Sequence, residues 1–281
     1  MKLRKKIYTV IYHIVTFSLG FLMIFPIIWL ILASFKESSS IMLEPLKIFP
    51  DVWMFSNYTE GWKGFGGGNS FSTFFKNSLV ISITATIGAV LFSTVVAYGF
   101  SRIRFKGRGF WFVCMMLTMM LPMQVLVIPQ YILFNIYGWI GTLLPLILPY
   151  FFGQGFFIFL TMQFIGGIPY EMDEAARIDG CSRYTIFLRI ILPLVRPAII
   201  TSTIFSFYWR WDDFFGPLLY CASPQKYTVS IALKLFSDPE SLGEWGPMFA
   251  MATLSLLPVL AIFLFFQKYL VEGISTTGLK A

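Results

Sequence analysis

Two groups of polar side chains interrupt an otherwise apolar sequence, and each offers a chemistry. The first is Glu174-Ala175-Ala176-Arg177-Ile178-Asp179-Gly180, continued to Ile190-Ile191-Leu192-Pro193. Glu171, Asp173 and Glu174 crowd its start, where a helix dipole favours negative charge, and Arg177 falls near the end. Pro169 suits a first helical turn, because its missing N–H would go unpaired there anyway. Gly180 can take the left-handed conformation that ends helices, and Ser182 can cap a second helix, stopped around Leu192-Pro193. On that second helix Ile186, Ile190 and Leu194 recur every four residues beside Phe187 and Ile191, with Arg183 and Arg189 elsewhere. The pattern predicts a short helix, a glycine turn and an amphipathic helix. Small Ala175 and Ala176 next to an acid make a contact that is both close and charged, which suits docking by a partner.

The second group is Arg210, Asp212 and Asp213 among Tyr208, Trp209 and Trp211. Aromatic faces can stack on the C–H face of a sugar ring while carboxylates accept from its hydroxyls. The same residues also fit an interfacial aromatic belt whose charges pair among themselves. Gln124 and Gln130 beside Pro122 and Pro129 raise a related alternative. A broken helix carrying polar groups is tolerated in a membrane where it is buried in protein or lines a cavity, and plain structural kinks compete with a pathway lining.

Catalytic and metal chemistry has no comparable support. The single histidine, His13, lies in an apolar run, with no second histidine for an H-E-x-x-H zinc site and no serine partner suggested. Cys114, Cys181 and Cys221 match neither a disulfide framework nor a metal-ligand spacing and read as free thiols. Asp212 and Asp213 are neighbours, so on a helix they point about 100° apart and cannot share a proton as an aspartyl protease pair would. No G-x-x-x-x-G-K-[ST] occurs, so any ATP and its Mg must be handled by a partner. We assign this chain no catalytic residue, no metal and no cofactor of its own.

The elements that must position these groups follow from composition. The chain of 281 residues is 57% hydrophobic and 12% charged, whereas soluble domains carry about 25% charged residues. A formal net charge of +7 does not point to nucleic acid, because the basic residues sit in short gaps between apolar runs instead of on one solvated face. Lys2, Arg4, Lys5 and Lys6 before an apolar run resemble a signal peptide, but the run from Ile7 to Ala33 exceeds the about 7–15 residues of such a region. It reads as a membrane anchor.

With about 20 apolar residues needed per membrane helix, six spans are expected, near 10–33, 79–100, 109–134, 142–165, 198–220 and 248–270. The fold class is all-α, a single polytopic transmembrane domain. In the second span Ala85, Ala89, Ser93 and Ala97 form a small-residue stripe that lets a neighbouring helix approach. Basic residues concentrate at the N-terminus, in the gap at Arg102 to Arg108, in the segment at about 166–197 and at the C-terminus, while the other gaps hold a few scattered lysines. By the positive-inside rule both termini and the Glu174 segment are cytoplasmic. The outer gaps, Phe35 to Phe75 with its Gly66-Gly67-Gly68 tract and Ala222 to Gly246, read as connectors too small for a catalytic domain.

The run Glu174-Ala175-Ala176, three residues, Gly180, nine residues, Ile190, one residue, Leu192-Pro193 resembles, without gaps, the EAA-loop signature of permease subunits in binding-protein-dependent ABC importers. Asp179 and Phe187 fit the carbohydrate version, while Cys181 stands where alanine is more usual. Asn57-Tyr58, Leu121-Pro122, Ile128-Pro129, Trp211-Asp212-Asp213-Phe214 with Pro217, and the stretch from Glu272 to Lys280 look like maltose-permease G-type subunits. Trp211-Asp212 departs from that family's frequent tryptophan-asparagine, and the glycine tract is unusual.

The resemblance implies a multi-pass subunit of a bacterial cytoplasmic membrane. It would pair with a second related permease, two copies of an ATP-binding subunit and an extracytoplasmic solute-binding protein to import a carbohydrate, an oligosaccharide in the first instance. It implies that Glu174, Ala175, Ala176, Arg177, Asp179, Gly180, Arg183 and Phe187 form the coupling surface for the ATPase, with Glu174 meeting a basic group. Gln124, Gln130, Tyr208, Trp209, Trp211, Asp212 and Asp213 are the candidates for the substrate path. A permease for another solute, such as glycerol phosphate or a polyamine, is the alternative. An autonomous secondary transporter would need internal repeats and intramembrane ion ligands, and no convincing repeat is found.

Overall fold

The computed structural model describes residues 2–64, 69–236 and 244–278, with side chains described over 5–64, 69–236 and 244–268. The Gly66-Gly67-Gly68 tract and the last residues of the C-terminal motif, Leu279 and Lys280, lie outside the described residues. Within them regular structure is helical: α1 (Lys2–Ala33), α2 (Ser38–Leu43), α3 (Ser56–Lys63), α4 (Phe71–Arg102), α5 (Arg108–Met120), α6 (Met123–Ile136), α7 (Gly155–Gly166), α8 (Glu171–Ile178), α9 (Arg183–Leu194), α10 (Arg196–Trp211), α11 (Phe215–Tyr220), α12 (Val229–Phe236) and α13 (Trp245–Gly278). Among the described residues four helical stretches are long and apolar enough to cross a membrane, or up to six if each of two bent pairs counts as one span.

The chain divides into two compact units, residues 1–72 with 232–257, and residues 73–231 with 258–281. In the first, the region expected as a bare connector carries α2 and α3 and is tied down by Asn57. This buried amide donates to the carbonyls of Ser34 at 2.9 Å and Lys36 at 2.8 Å. Phe35 packs against Trp53, Phe55 and Tyr58, with ring centroids 5.2–5.3 Å away. The Lys36 amine donates to the Lys47 carbonyl, and burial lowers its pKa below the usual lysine value.

In the second unit the stripe on α4 performs its packing role: Ala85, Ala89, Ser93 and Ala97 are all buried. Gly88 on the same helix lies so close to Phe151 that an added Cβ would sit 2.5 Å from the ring. The Ser93 hydroxyl accepts the backbone N–H of Gln154 at 2.9 Å.

Three expected spans are less regular than their apolar composition suggests. The span placed at 109–134 is two helices, α5 and α6, bent by 102° at Leu121-Pro122. Leu121 ends α5 in an extended conformation, because a proline disfavours a helical residue before it, and Pro122 becomes the N-cap of α6. The span at 142–165 begins as two 3-10 turns, Leu144–Leu146 and Leu148–Phe152, each with proline in its first turn, and becomes α7 only after Gly153 at φ +83°. The span placed at 198–220 stops at Trp211. Asp213 then accepts the Gly216 N–H at 3.1 Å, which starts the separate α11 with Pro217 near its beginning.

Candidate functional site

The Glu174 segment folds as a helix, a turn and a helix. Helix α8 begins at Glu171 with Tyr170 as its N-cap, so Pro169 stands one residue before the cap instead of within the first turn. The reason is local: the Tyr170 carbonyl accepts the N–H groups of Asp173 at 3.0 Å and Glu174 at 3.2 Å, closing the first turn there. Glu171, Asp173 and Glu174 occupy the first turn and Arg177 the last, as the helix dipole favours.

Gly180 has φ +80°. Its N–H reaches the Arg177 carbonyl at 3.0 Å, and the Cys181 N–H reaches that of Ala176 at 2.9 Å. Those two bonds make a Schellman termination, which satisfies carbonyls the helix would leave orphaned. The Ser182 hydroxyl then accepts the Thr185 N–H at 3.2 Å, capping α9.

Helix α9 stops at Leu194, beside the expected Leu192-Pro193, but its course to that point is not a plain α-helix. Residues Phe187–Ile191 form a π-helical turn, and the helix continues through Pro193 to Leu194 before bending by 72° into α10. A π turn widens the backbone just where the proline ring would crowd the carbonyl four residues back. It also shifts the apolar face. Ile186, Ile191 and Val195 are the fully buried residues, while Leu194 of the expected stripe is 46% exposed. The spacing from Ile186 to Ile191 is five residues, the repeat of a π turn.

This fold leaves Glu174, Ala175, Arg177, Asp179, Gly180 and Arg183 exposed, buries Ala176 and half-buries Phe187. Ile178 and Tyr184 are 87% and 82% exposed, so large apolar side chains flank the charged surface. The segment thus presents an acid, a small residue and two apolar projections together, an arrangement that can seat in a partner's cleft. Arg177 lies over the Tyr170 ring at 5.7 Å, and the Tyr170 phenol beside it raises the guanidinium pKa above its usual value.

Sequence reading did not identify what holds this segment in place. Arg102, in the last turn of α4, lies 3.4 Å from the fully buried carboxylate of Asp173, a charge contact without hydrogen-bond alignment. It also donates to the Ile168 carbonyl at 2.7 Å and covers the Tyr170 ring at 5.3 Å. One turn earlier, the Tyr98 hydroxyl donates to the Arg183 carbonyl at 3.1 Å, and its ring lies 4.8 Å from that of Phe187. The available signal was the four-residue spacing of Tyr98 and Arg102, which places both on one helical face.

The second polar group is partly gathered. The Arg210 guanidinium stacks on the Tyr150 ring at 4.1 Å and donates to its hydroxyl. Asp213 caps α11, whereas Asp212 and Tyr208 are exposed. Trp209 is partly exposed, packed against Phe156, Phe157 and Phe205. Trp211 is buried, stacked on Phe207 and beside Phe75. Gln124 and Gln130 both lie on α6, the first exposed and the second half-buried. The three cysteines are free thiols, and no group of three or more His, Cys, Asp and Glu side chains that could hold a metal occurs among the described residues.

Apolar helices of membrane-crossing length, two of the candidate spans broken, and an exposed charged helix pinned to α4 define a multi-helix membrane protein with a polar segment outside the lipid. Residues 89–276 match the family of the binding-protein-dependent transport system inner membrane component, and the chain belongs to that family. It is therefore a permease subunit of an ABC transporter and not itself an enzyme.

It is 34% identical over 268 residues to an arabinooligosaccharide transport system permease protein of Bacillus subtilis, covering 93% of this chain and 92% of that one. It is 30% identical to a trehalose/maltose transport system permease protein of Thermococcus litoralis, over 92% of this chain and 91% of that one. It is 29% identical to a diacetylchitobiose uptake system permease protein of Streptomyces coelicolor, over 92% of each. In fold it is similar to a chain of a bacterial ABC transporter that imports the acidic polysaccharide alginate. There the TM-score is 0.80 at 21% identity, over 94% of this chain and 96% of that one.

Proposed function

We propose that this chain is the membrane-crossing half of an ATP-driven importer that moves a carbohydrate, an oligosaccharide in the first instance, delivered by an extracytoplasmic binding protein. The observation that carries the transport part is the exposed α8 segment, held rigid by its Schellman turn and by α4, with Glu174, Ala175 and Ile178 presented outward. The sugar part is supported by the oligosaccharide named for three relatives.

In this reading the chain crosses the bacterial cytoplasmic membrane six times with both termini inside, each bent helix pair counting as one span. It pairs with a second permease above two copies of an ATP-binding subunit, which bind ATP and Mg. Glu174, Ala175, Ala176, Arg177, Asp179, Gly180, Arg183 and Phe187 form the coupling segment. Closure of the ATPase displaces it, and the spans turn from inward- to outward-facing. Glu174 meets a basic group of the ATPase.

On the substrate path, Tyr208 and Asp212 are the exposed members able to touch a sugar, stacking on it and accepting from its hydroxyls, with Gln124 and Gln130 lining the bend of the α5–α6 pair. Trp209, itself partly exposed, borders that surface, and Trp211 and Asp213 shape it from behind. Reconstitution with the second permease, the ATPase and the binding protein tests the reading. ATP-dependent uptake of an arabino-, malto- or chito-oligosaccharide is expected. Uptake of glycerol phosphate or a polyamine instead would overturn the substrate class, and ion-driven uptake by the lone chain would overturn the whole assignment.

A further inference from the structure

Helix α4 touches the coupling segment on both of its arms. Arg102 holds the approach and first turn of α8, through the Asp173 carboxylate at 3.4 Å and the Ile168 carbonyl at 2.7 Å. Tyr98 holds the start of α9, through the Arg183 carbonyl at 3.1 Å and the Phe187 ring at 4.8 Å. The two side chains are one turn apart on one face, so α8 and α9 straddle the end of a single helix. The rest of α4 buries its small-residue stripe in the same unit, with Gly88 closed onto Phe151 and Ser93 bonded to Gln154.

A segment held at two points on one helix moves with that helix; the flanking α10 is reached only across a 72° bend, and α7, which leads into the segment, adds Ile165 to the apolar cluster that already holds Tyr98 and Ala176. The Arg102–Asp173 contact is side-chain buried, 7% and 0% exposed, so water cannot replace it when it is strained. Buried polar contacts of this kind have discrete arrangements and carry coupling between distant sites.

We propose that Arg102 and Tyr98 are positioning residues for coupling: they make α8 and the end of α4 one mechanical body, so that displacement of α8 by the ATPase enters the membrane through α4. The proposal rests on the transport reading above. Asp173 belongs to this joint, and the exposed Glu174 beside it faces the partner, so adjacent acids serve the two ends of one transmission.

The test uses the complete complex, with the native cysteines replaced by serine and spin labels at Arg104→Cys, just beyond α4, and Glu171→Cys, exposed at the start of α8; uptake is read on the unlabelled complex. In the parent complex the label separation should stay the same with and without ATP plus vanadate. In Arg102→Gln it should broaden and become nucleotide-dependent, and uptake per ATP hydrolysed should fall about tenfold, the size of ordinary allosteric coupling. Arg102→Lys, which keeps the charge, should recover most of that ratio, which a merely structural loss would not show.

Should Arg102→Gln fail to assemble, Tyr98→Phe decides, since it removes only a hydroxyl: a lowered uptake-to-ATP ratio supports the joint. An unchanged ratio and separation in either variant, or a separation that already shifts with nucleotide in the parent complex, overturns it. A parent complex that shows no ATP-dependent uptake at all would instead count against the transport reading.

Discussion

The fully buried Asp173 is faced by Arg102 at 3.4 Å, across a gap that joins two elements far apart in sequence. Taking two charges out of water is costly, and removing one partner leaves the other uncompensated. Asp173→Ala is therefore expected to destabilise by about 3–5 kcal/mol, while Arg102→Met combined with Asp173→Leu should cost far less, because an apolar pair of similar volume avoids desolvation. Thermal unfolding of the purified complex separates the cases. The double variant should be nearly as stable as the parent and yet poorly coupled; equal instability of single and double variants would contradict the buried-pair argument.

Gly180→Pro cannot adopt φ +80° and also removes the N–H that reaches Arg177, so the Schellman turn opens. Glu174→Lys leaves the fold alone, since this side chain is exposed, and reverses the charge offered to the ATPase. Complexes assembled with either variant should hydrolyse ATP without matching uptake. Full transport by both in proteoliposomes would refute the assignment of this segment. Gly180→Ala should be milder, because nothing lies within 4 Å of the added Cβ and the cost is the about 1–2 kcal/mol of a left-handed backbone.

Asn57 spends both amide hydrogens on the carbonyls of Ser34 and Lys36. In Asn57→Ala each orphaned carbonyl costs about 1–3 kcal/mol where water cannot replace the donor. Asn57→Asp has the same shape but presents acceptors to acceptors, and should be at least as unstable. Resistance of residues 35–64 to limited proteolysis reports on this directly: it should fall in both variants, and unchanged resistance would refute the role given to Asn57.

Tyr208→Ala with Asp212→Asn removes the exposed groups of the second polar cluster and should change which oligosaccharide competes best for uptake, with little change in melting temperature. Trp211→Ala should behave in the opposite way, losing about 3–5 kcal/mol as large buried aromatics do without shifting sugar preference. If preference follows Trp211 and ignores Tyr208 and Asp212, the sugar path runs elsewhere on α10 or not along it.

Much of this protein was legible one residue at a time. Composition alone specifies a helical membrane protein, since a chain with 12% charged residues cannot cover a soluble surface. The course of the Glu174 segment was equally plain, because capping serines, acids at a helix start and a glycine at its end act over a few neighbouring atoms. The same locality explains the errors. Pro122 and the prolines after Thr142 are visible, but hydropathy counts apolar residues and is blind to a 102° bend or a 3-10 turn. The π turn before Pro193 moved the buried face from Ile190 and Leu194 to Ile191 and Val195, a change of register that a fixed helical repeat cannot express.

The sequence by itself determined the class of protein, its helical character and the helix-turn-helix course of the Glu174 segment, since each depends on local spacing and on the free energy of placing side chains in lipid or water. The tertiary structure alone decided that Asp173 is buried while its neighbour Glu174 is exposed, and that Arg102 and Tyr98 grip the two arms of the Glu174 segment. Those facts depend on residues some seventy to ninety positions apart in the chain being brought within a few ångströms. No periodicity in a single sequence encodes such a distance; packing around the small-residue face of α4 sets it.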